Sequence, residues 1–364
     1  MGSAERTGER TGERERRYGR GRGGSGRPGR PGRSAAVAAS GLAVVAAVLV
    51  PTVLSSGGSD GAAPSPDRGA RQHEPAAPAA PAAPDEPEKC DDGEPAAASL
   101  KPRGGDDGKA VKRIKKKGKL VVGIDQNSFQ WGFRDPTTGD IEGFDIDLAR
   151  AIARDLLGGD GSDKLTFKTI PTDQRIPALK AGDVDMVVRT MTIDCERKRD
   201  VNFSTAYFEA GQQIVVPKKR AKVKGFDKSM NGKRVCFASG STAEQLMTSG
   251  RYKKLGAKPV VVPNQLDCLV RLQLGEADAT VTDSALGAGQ AAQDPSVELI
   301  GEPVTNEPYG VAMNLDDDDL VRRVNKVLVD FRKDQWHDSY DKWLKKNLGG
   351  TKDGDTPPKP LYRD

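Results

Sequence analysis

Histidine is nearly missing from this 364-residue chain: there are two, His73 and His337. Catalysis that leans on an imidazole base has little to work with. The sequence also has no Walker loop, no G-x-S-x-G elbow and no H-E-x-x-H, so the common phosphoryl-transfer, acyl-transfer and zinc-hydrolase signatures are absent. Without a C-x-x-C or a Cys/His cluster, a structural zinc site is not expected either. These absences leave carboxylate chemistry open. Ser239 and Ser241, in "ASGST", have no base in view and read as hydrogen-bonding groups.

Apolar content is low as well. A mean hydropathy of -0.60, with 24 prolines and 42 glycines, means that much of the chain cannot pack. One long uncharged apolar run exists, residues 35 to 54, "AAVAASGLAVVAAVLVPTVL". It follows residues 1–34, which hold ten arginines and four glutamates, a net of +6, leaving -1 for the rest of a chain whose total is +5. The basic balance therefore describes the leader. Basic followed by apolar reads as a secretion signal or a single membrane anchor at 35–55, with the Arg/Gly-rich n-region in the cytoplasm and the remainder outside. Both readings stay open. Residues 56–109, including "EPAAPAAPAAPDEPE", are expected to form a disordered Pro/Ala tether, and 351–364 a disordered tail.

Four cysteines in an exported chain suggest disulfides. The count allows three pairings; the expected one is Cys236 with Cys268 and Cys90 with Cys195. The first would close a loop of about 30 residues, worth roughly 3 to 4 kcal/mol by the chain-entropy argument.

From residue 110 the pattern changes to alternating short apolar strands and amphipathic helices, the α/β signature. "GKLVVGI" reads as a strand, and the basic run "KRIKKKGK" before it as a solvated helical face. "GFDIDLARAIARDLLGG" reads as a helix, with Asp145 as its N-cap. The acidic run at residues 316–319 suits the start of a late helix by its dipole. Two stretches then repeat in order: "GKLVVGIDQNS" (118 to 128) matches "GKRVCFASGST" (232 to 242), and "GDVDMVVRT" (182 to 190) matches "GEADATVTD" (275 to 283). Two copies of one α/β unit imply two lobes facing across a cleft, with ligand groups just beyond the strands' carboxyl ends.

The residues at those ends suit a zwitterion. Arg197 can hold a carboxylate bidentately, Thr192 and Thr242 can donate hydroxyls to it, and the backbone N–H groups of Gly240, Ser241 and Thr242 would add anion-binding dipoles. Asp283, on the other lobe, can accept from an ammonium. Together they point to an amino acid.

The stretches "GKLVVGIDQNSFQWGF", "GFDIDLARAIA", "IPALKAGDVDMVVRTMTIDCERKRDVNFSTAYFEAGQQIVV", "GKRVCFASGSTAEQL", "LGEADATVTDSALGAG" and "EPYGVAMN" together resemble the family 3 extracellular solute-binding proteins of amino-acid ABC transporters. The resemblance implies the type II periplasmic-binding-protein fold: an α/β chain of two lobes joined by two hinge crossings, near 215–218 and 305–310. Lobe 1 would be 110–216 with 307–350, and lobe 2 would be 217–306. It implies that Arg197 and Thr192 grip the ligand's α-carboxylate, that Thr242 and Ser241 join from the second lobe, and that Asp283 takes the α-ammonium. Thr190 would reach the ligand through its carbonyl or hydroxyl, and Phe129 or Trp131 would cover it.

The wording "VVRTMTI", with "QRIP" before it and two cysteines in the second lobe, looks most like the glutamate-binding branch of high-GC Gram-positive bacteria. A second carboxylate would need its own cation, for which Arg189 and Arg175 are the candidates. The expected protein is thus a monomeric extracytoplasmic binder of an acidic amino acid, serving a membrane permease. It is secreted or tethered to the outer face of the membrane, and no cofactor, metal, catalytic residue or nucleic acid is involved. An enzyme resembling cyclohexadienyl dehydratase and an amino-acid sensor ectodomain are the alternatives.

Overall fold

The computed structural model describes residues 88–105, 107–348 and 355–363. The expected n-region and apolar helix lie outside the described residues, as does most of the expected tether. Among the described residues, no helix is long and apolar enough to cross a membrane.

Alternating strands and helices build two five-stranded sheets. In the first, the order across the sheet is Leu165–Thr169, Leu120–Ile124, Met186–Val187, Ala312–Asn314 and Val201–Phe203. In the second it is Lys258–Val262, Arg234–Ala238, Ala279–Asp283, Gln212–Pro217 and Val297–Ile300. The internal repeat read from the sequence is therefore a repeat of topology: Leu120–Ile124 and Arg234–Ala238 are each second, Met186–Val187 and Ala279–Asp283 each third. In both sheets the second strand runs parallel to the first and the third, and the fourth strand runs antiparallel to those beside it.

The fourth strand is where the lobes exchange chain. The expected first crossing at 215–218 is corrected: Gln212–Pro217 already belongs to the second sheet. The reason is its alternation, with Ile214 and Val216 in one apolar cluster and Val215 in another, so the strand is covered on both faces. The chain instead crosses at Phe208–Ala210, which pairs antiparallel with the return crossing Glu307–Tyr309. Ala210 sits opposite Glu307 and Phe208 opposite Tyr309.

Helices complete each lobe. Phe144–Leu157 buries Phe144, Ile146, Leu148, Ile152 and Leu156 against the first sheet's core. Its N-cap is Gly143, at φ 129°, rather than Asp145. Asp145 lies inside the first turn and is buried. The basic run forms the helix Lys109–Lys117, which buries Ala110, Val111 and Ile114 and leaves its lysines outward. Asp319, at the start of the helix Asp318–Phe331, accepts from the Val111 backbone N–H at 2.9 Å, so one helix caps another.

Residues 88–105 and 355–363, assigned by composition to the tether and tail, have defined structure. Ser99–Leu100 pairs in parallel with Tyr362–Arg363. Ser99 Oγ donates to the Phe203 carbonyl at 2.6 Å, and Asn325 Nδ2 donates to Ser99 Oγ and the Leu100 carbonyl at 2.9 and 2.7 Å. A disulfide joins Cys90 to Cys195. Composition averages over a window, and a few specific attachments offset the chain entropy that the average says cannot be offset. A second disulfide, Cys236 to Cys268, ties the strand Arg234–Ala238 to the helix Gln265–Gln273 inside the second lobe.

Candidate functional site

Beyond the carboxyl ends of the parallel strands, the lobes enclose a small cavity. Its wall includes Thr172, Arg175, Arg189, Thr190, Thr192 and Arg197 from the first lobe. Ser241, Thr242, Gln265, Asp283 and Leu286 line it from the second. The polar strand ends that stood out in the sequence are thus brought together.

Arg197 is buried in the short helix Cys195–Lys198, capped by Asp194, which accepts its backbone N–H at 2.7 Å. The same Asp194 approaches Arg197 Nε at 3.2 Å. The guanidinium also donates to the Thr192 carbonyl at 2.8 Å and to the Gly240 carbonyl, across the cleft, at 3.3 Å. Arg175 donates to the Thr172 carbonyl at 2.8 Å and to Gly240 at 3.2 Å. Among the described ion pairs none involves Arg175. Burial, then the nearby charges of Arg197 and Arg189, hold its pKa well below the usual guanidinium value.

Arg189 is differently placed. Only 1 % exposed, it pairs with Asp125 at 3.0 Å and donates to Asn264 at 3.1 Å. Gln265 of the second lobe donates to Asp125 at 3.1 Å. Arg189 therefore belongs to a polar bridge between the lobes.

Thr190 has a left-handed backbone, φ 39°, uncommon for a residue with a branched Cβ. Its N–H donates to Asp145 Oδ2 at 3.0 Å, and Tyr207 donates to Asp145 Oδ1 at 2.7 Å. Burial raises the Asp145 carboxyl to about 7, against the opposing pull of these hydrogen bonds. The buried carboxyl thus supports the bend that carries Thr190 into the cavity wall.

Asp283 ends its strand and is buried. Tyr309 donates to Oδ2 at 2.7 Å, and Gln212 donates to Oδ1. Burial, with the charge of Glu307 next, raises it to about 8. Glu307 was not singled out in the sequence, where "NEPYG" reads only as a hinge. Its Oε2 accepts from Thr192 at 3.0 Å, Thr242 at 2.8 Å and Gln212 at 3.0 Å, and its Oε1 from Thr305 at 2.9 Å. A single acidic residue in a hinge stretch of ordinary composition carries no sequence signal for such a role.

Three expected contributions are not found as expected. The Gly240 N–H donates to Glu244 at 2.7 Å, and the Ser241 N–H and hydroxyl both donate to the Ala238 carbonyl, so these groups are engaged within their own turn. Trp131 is 1 % exposed in the first lobe's core, against Phe144, Phe208 and Tyr309, and donates to the Ala285 carbonyl. Phe129 stacks edge-on against Phe133 and borders a separate pocket with Gln265 and Gln290. Neither aromatic lines the main cavity, because the turn after Ile124 folds back into a three-stranded sheet, Asn127–Ser128, Gly132–Arg134 and Ile141–Glu142.

Two α/β lobes with one strand exchanged each way, and a polar cleft at their strand ends, define a type II periplasmic-binding-protein fold. Residues 120–346 match the bacterial extracellular solute-binding proteins, family 3, and the chain belongs to that family. It is 37% identical, over 69% of its length and 92% of the relative's, to the ABC transporter glutamine-binding protein GlnH of Bacillus subtilis. It is 28% identical, over 64% and 79%, to the glutamate-binding protein GluB of Corynebacterium efficiens. Among solved structures it resembles an ancestral amino acid-binding protein described as a precursor of cyclohexadienyl dehydratase: TM-score 0.58, 36% identity, 65% of this chain and 100% of that one.

Proposed function

We propose that the chain captures an acidic amino acid, L-glutamate first, outside the cytoplasm and delivers it to an ABC permease, binding by closure of its two lobes. The α-carboxylate would meet Arg197 with Thr192 and Thr242, and the α-ammonium Asp283. Arg197, Thr192 and Asp283 are buried and Thr242 is half-buried, all in the wall of one cavity, and closure would follow from a ligand that contacts both lobes.

The observation that carries the acidic assignment is Arg175. It is a buried guanidinium in the cavity wall with no carboxylate in ion-pair reach among the described residues. Beside it, Thr172 Oγ1 is buried without a hydrogen-bond partner. A cation left unpaired in a dry site is costly, and a side-chain carboxylate would relieve it. Relatives described as glutamine-binding favour the neutral amide as the second reading. In this chain a glutamine side chain would leave the Arg175 charge uncompensated.

Relatives described as glutamine-binding and glutamate-binding proteins support binding over turnover. A thermal-shift and calorimetric comparison of glutamate, aspartate, glutamine and asparagine tests the proposal. Glutamate should give the largest shift. Glutamine binding more tightly than glutamate would overturn the acidic assignment, and loss of arogenate or prephenate on incubation would overturn the binder.

A further inference from the structure

Glu307 lies on the return crossing, 4 % exposed, directly behind the threonines at the cavity wall. Its Oε2 takes hydrogen bonds from one hydroxyl of each lobe, Thr192 and Thr242. Gln212 Nε2, at the start of the strand that follows the other crossing, donates to both Glu307 and Asp283, so the two carboxyls lie side by side. Two buried carboxyls held by one amide nitrogen resist ionising together, and burial with the neighbouring Glu307 charge keeps the proton on Asp283.

The groups facing this pair are Tyr309, Gln212, Thr192, Thr242 and Thr305, with Arg175 and Arg197 across the cavity. On the outer side, Asp194 and Glu209 border a second cavity that Glu307 also lines. Among the described ion pairs, none involves Glu307 or Asp283. Among the described residues, two acids are therefore buried together with no cation in ion-pair reach.

We propose that Asp283 and Glu307 form one ammonium receptor, in which Asp283 keeps a proton until the ligand's ammonium displaces it into solvent. Glu307 acts here as a positioning residue: through Thr192, Thr242 and Gln212 it aligns the two lobes' ligand-facing groups, and with Asp283 it supplies the second negative charge. This rests on the amino-acid reading above. The charge balances, since the pair gives up one proton as one ammonium arrives.

Protons and ammonium then compete for one place. The upward shift of Asp283 puts that competition below about pH 8, so affinity should fall as pH is lowered through that range, by up to roughly tenfold per pH unit.

Calorimetry with L-glutamate at about pH 7, in phosphate and in Tris, reads the proton directly, because the two buffers take up protons with different heats. About one proton released per ligand is expected. Glu307→Gln should bind at least tenfold more weakly, release fewer protons and flatten the pH profile, with the fold checked by circular dichroism. Glutamate binding with equal enthalpies in the two buffers would overturn this inference and leave the amino-acid reading standing. Failure of every amino acid to bind overturns both. A Glu307→Gln variant with the parent's affinity and proton release assigns Glu307 no part in binding.

Discussion

Arg189 and Asp125 form a salt bridge of 3.0 Å with their side chains only 1 % and 4 % exposed. The pair is tied to the second lobe from both ends, through Asn264 and Gln265. Arg189→Met leaves Asp125 buried and unpaired, and should lower stability by about 3 to 5 kcal/mol in urea titration. Replacing both residues, as Arg189→Met with Asp125→Leu, should recover most of that loss. An Arg189→Met variant as stable as the parent would remove the pair's structural role.

Arg175 is the arginine left over once Arg189 is accounted for. On the proposed acidic reading, Arg175→Met should weaken glutamate binding by about 100-fold or more, since the cation proposed to meet the side-chain carboxylate is lost. Glutamine should lose far less. Calorimetry against both ligands separates this from general damage, which would weaken the two equally.

Asp283→Asn should abolish detectable amino-acid binding and at the same time raise the melting temperature of the ligand-free protein. The parent buries a carboxyl beside Glu307, and both burial and that neighbour disfavour its charged form. An amide keeps the shape and removes the charge. A melting temperature that falls instead would mean that Asp283 is compensated in the free protein.

The pH dependence of ligand-free stability follows from the same group and from Asp145. Both carboxyls are raised in the folded state, to about 8 and about 7. Folded protein therefore holds these protons where unfolded chain, with ordinary carboxyls near 4, has already lost them. Their contribution is fully present at acidic pH below the unfolded value and is lost as pH rises toward 8. Thermal melts should show stability declining from about pH 5 to pH 9 without ligand. The decline should be smaller in Asp283→Asn.

Cys195 lies in the turn that presents Arg197, two residues away, and its disulfide to Cys90 anchors that turn to the segment before Ser99. Cys90→Ala with Cys195→Ala should weaken ligand binding measurably. Cys236→Ser with Cys268→Ser, a bridge inside the second lobe, should cost about 3 to 4 kcal/mol of stability and leave affinity nearly unchanged. Equal effects of the two pairs on affinity would contradict this division.

Much of the architecture was legible in the chain. The repeat of "GKLVVGI" in "GKRVCFA" and of "VDMVV" in "ADATV" located equivalent strands of two sheets, because a parallel strand covered on both faces must be written as a short apolar run. Thr190, Thr192, Arg197 and Asp283 were legible as candidates, since polar groups at the ends of buried strands contradict the local pattern. What could not be read were partnerships over long separations. Gln212 meets Asp283 across 71 residues and Glu307 across 95, and no local periodicity encodes either contact. The aromatic residues Trp131 and Phe129 have the composition of a ligand cover, but the turn that carries them packs Trp131 into the core and leaves Phe129 at a separate pocket.

The sequence by itself determined the two-lobed α/β plan and which polar residues stand at the strand ends, because hydrophobic periodicity and strand length are local properties of the chain. Only the tertiary structure decided how the three arginines divide their work. Arg189 is paired with Asp125, Arg197 is held by Asp194, and Arg175 faces the cavity with no carboxylate in ion-pair reach among the described residues. A guanidinium is the same group at all three positions; what distinguishes them is which carboxylates the fold brings within reach.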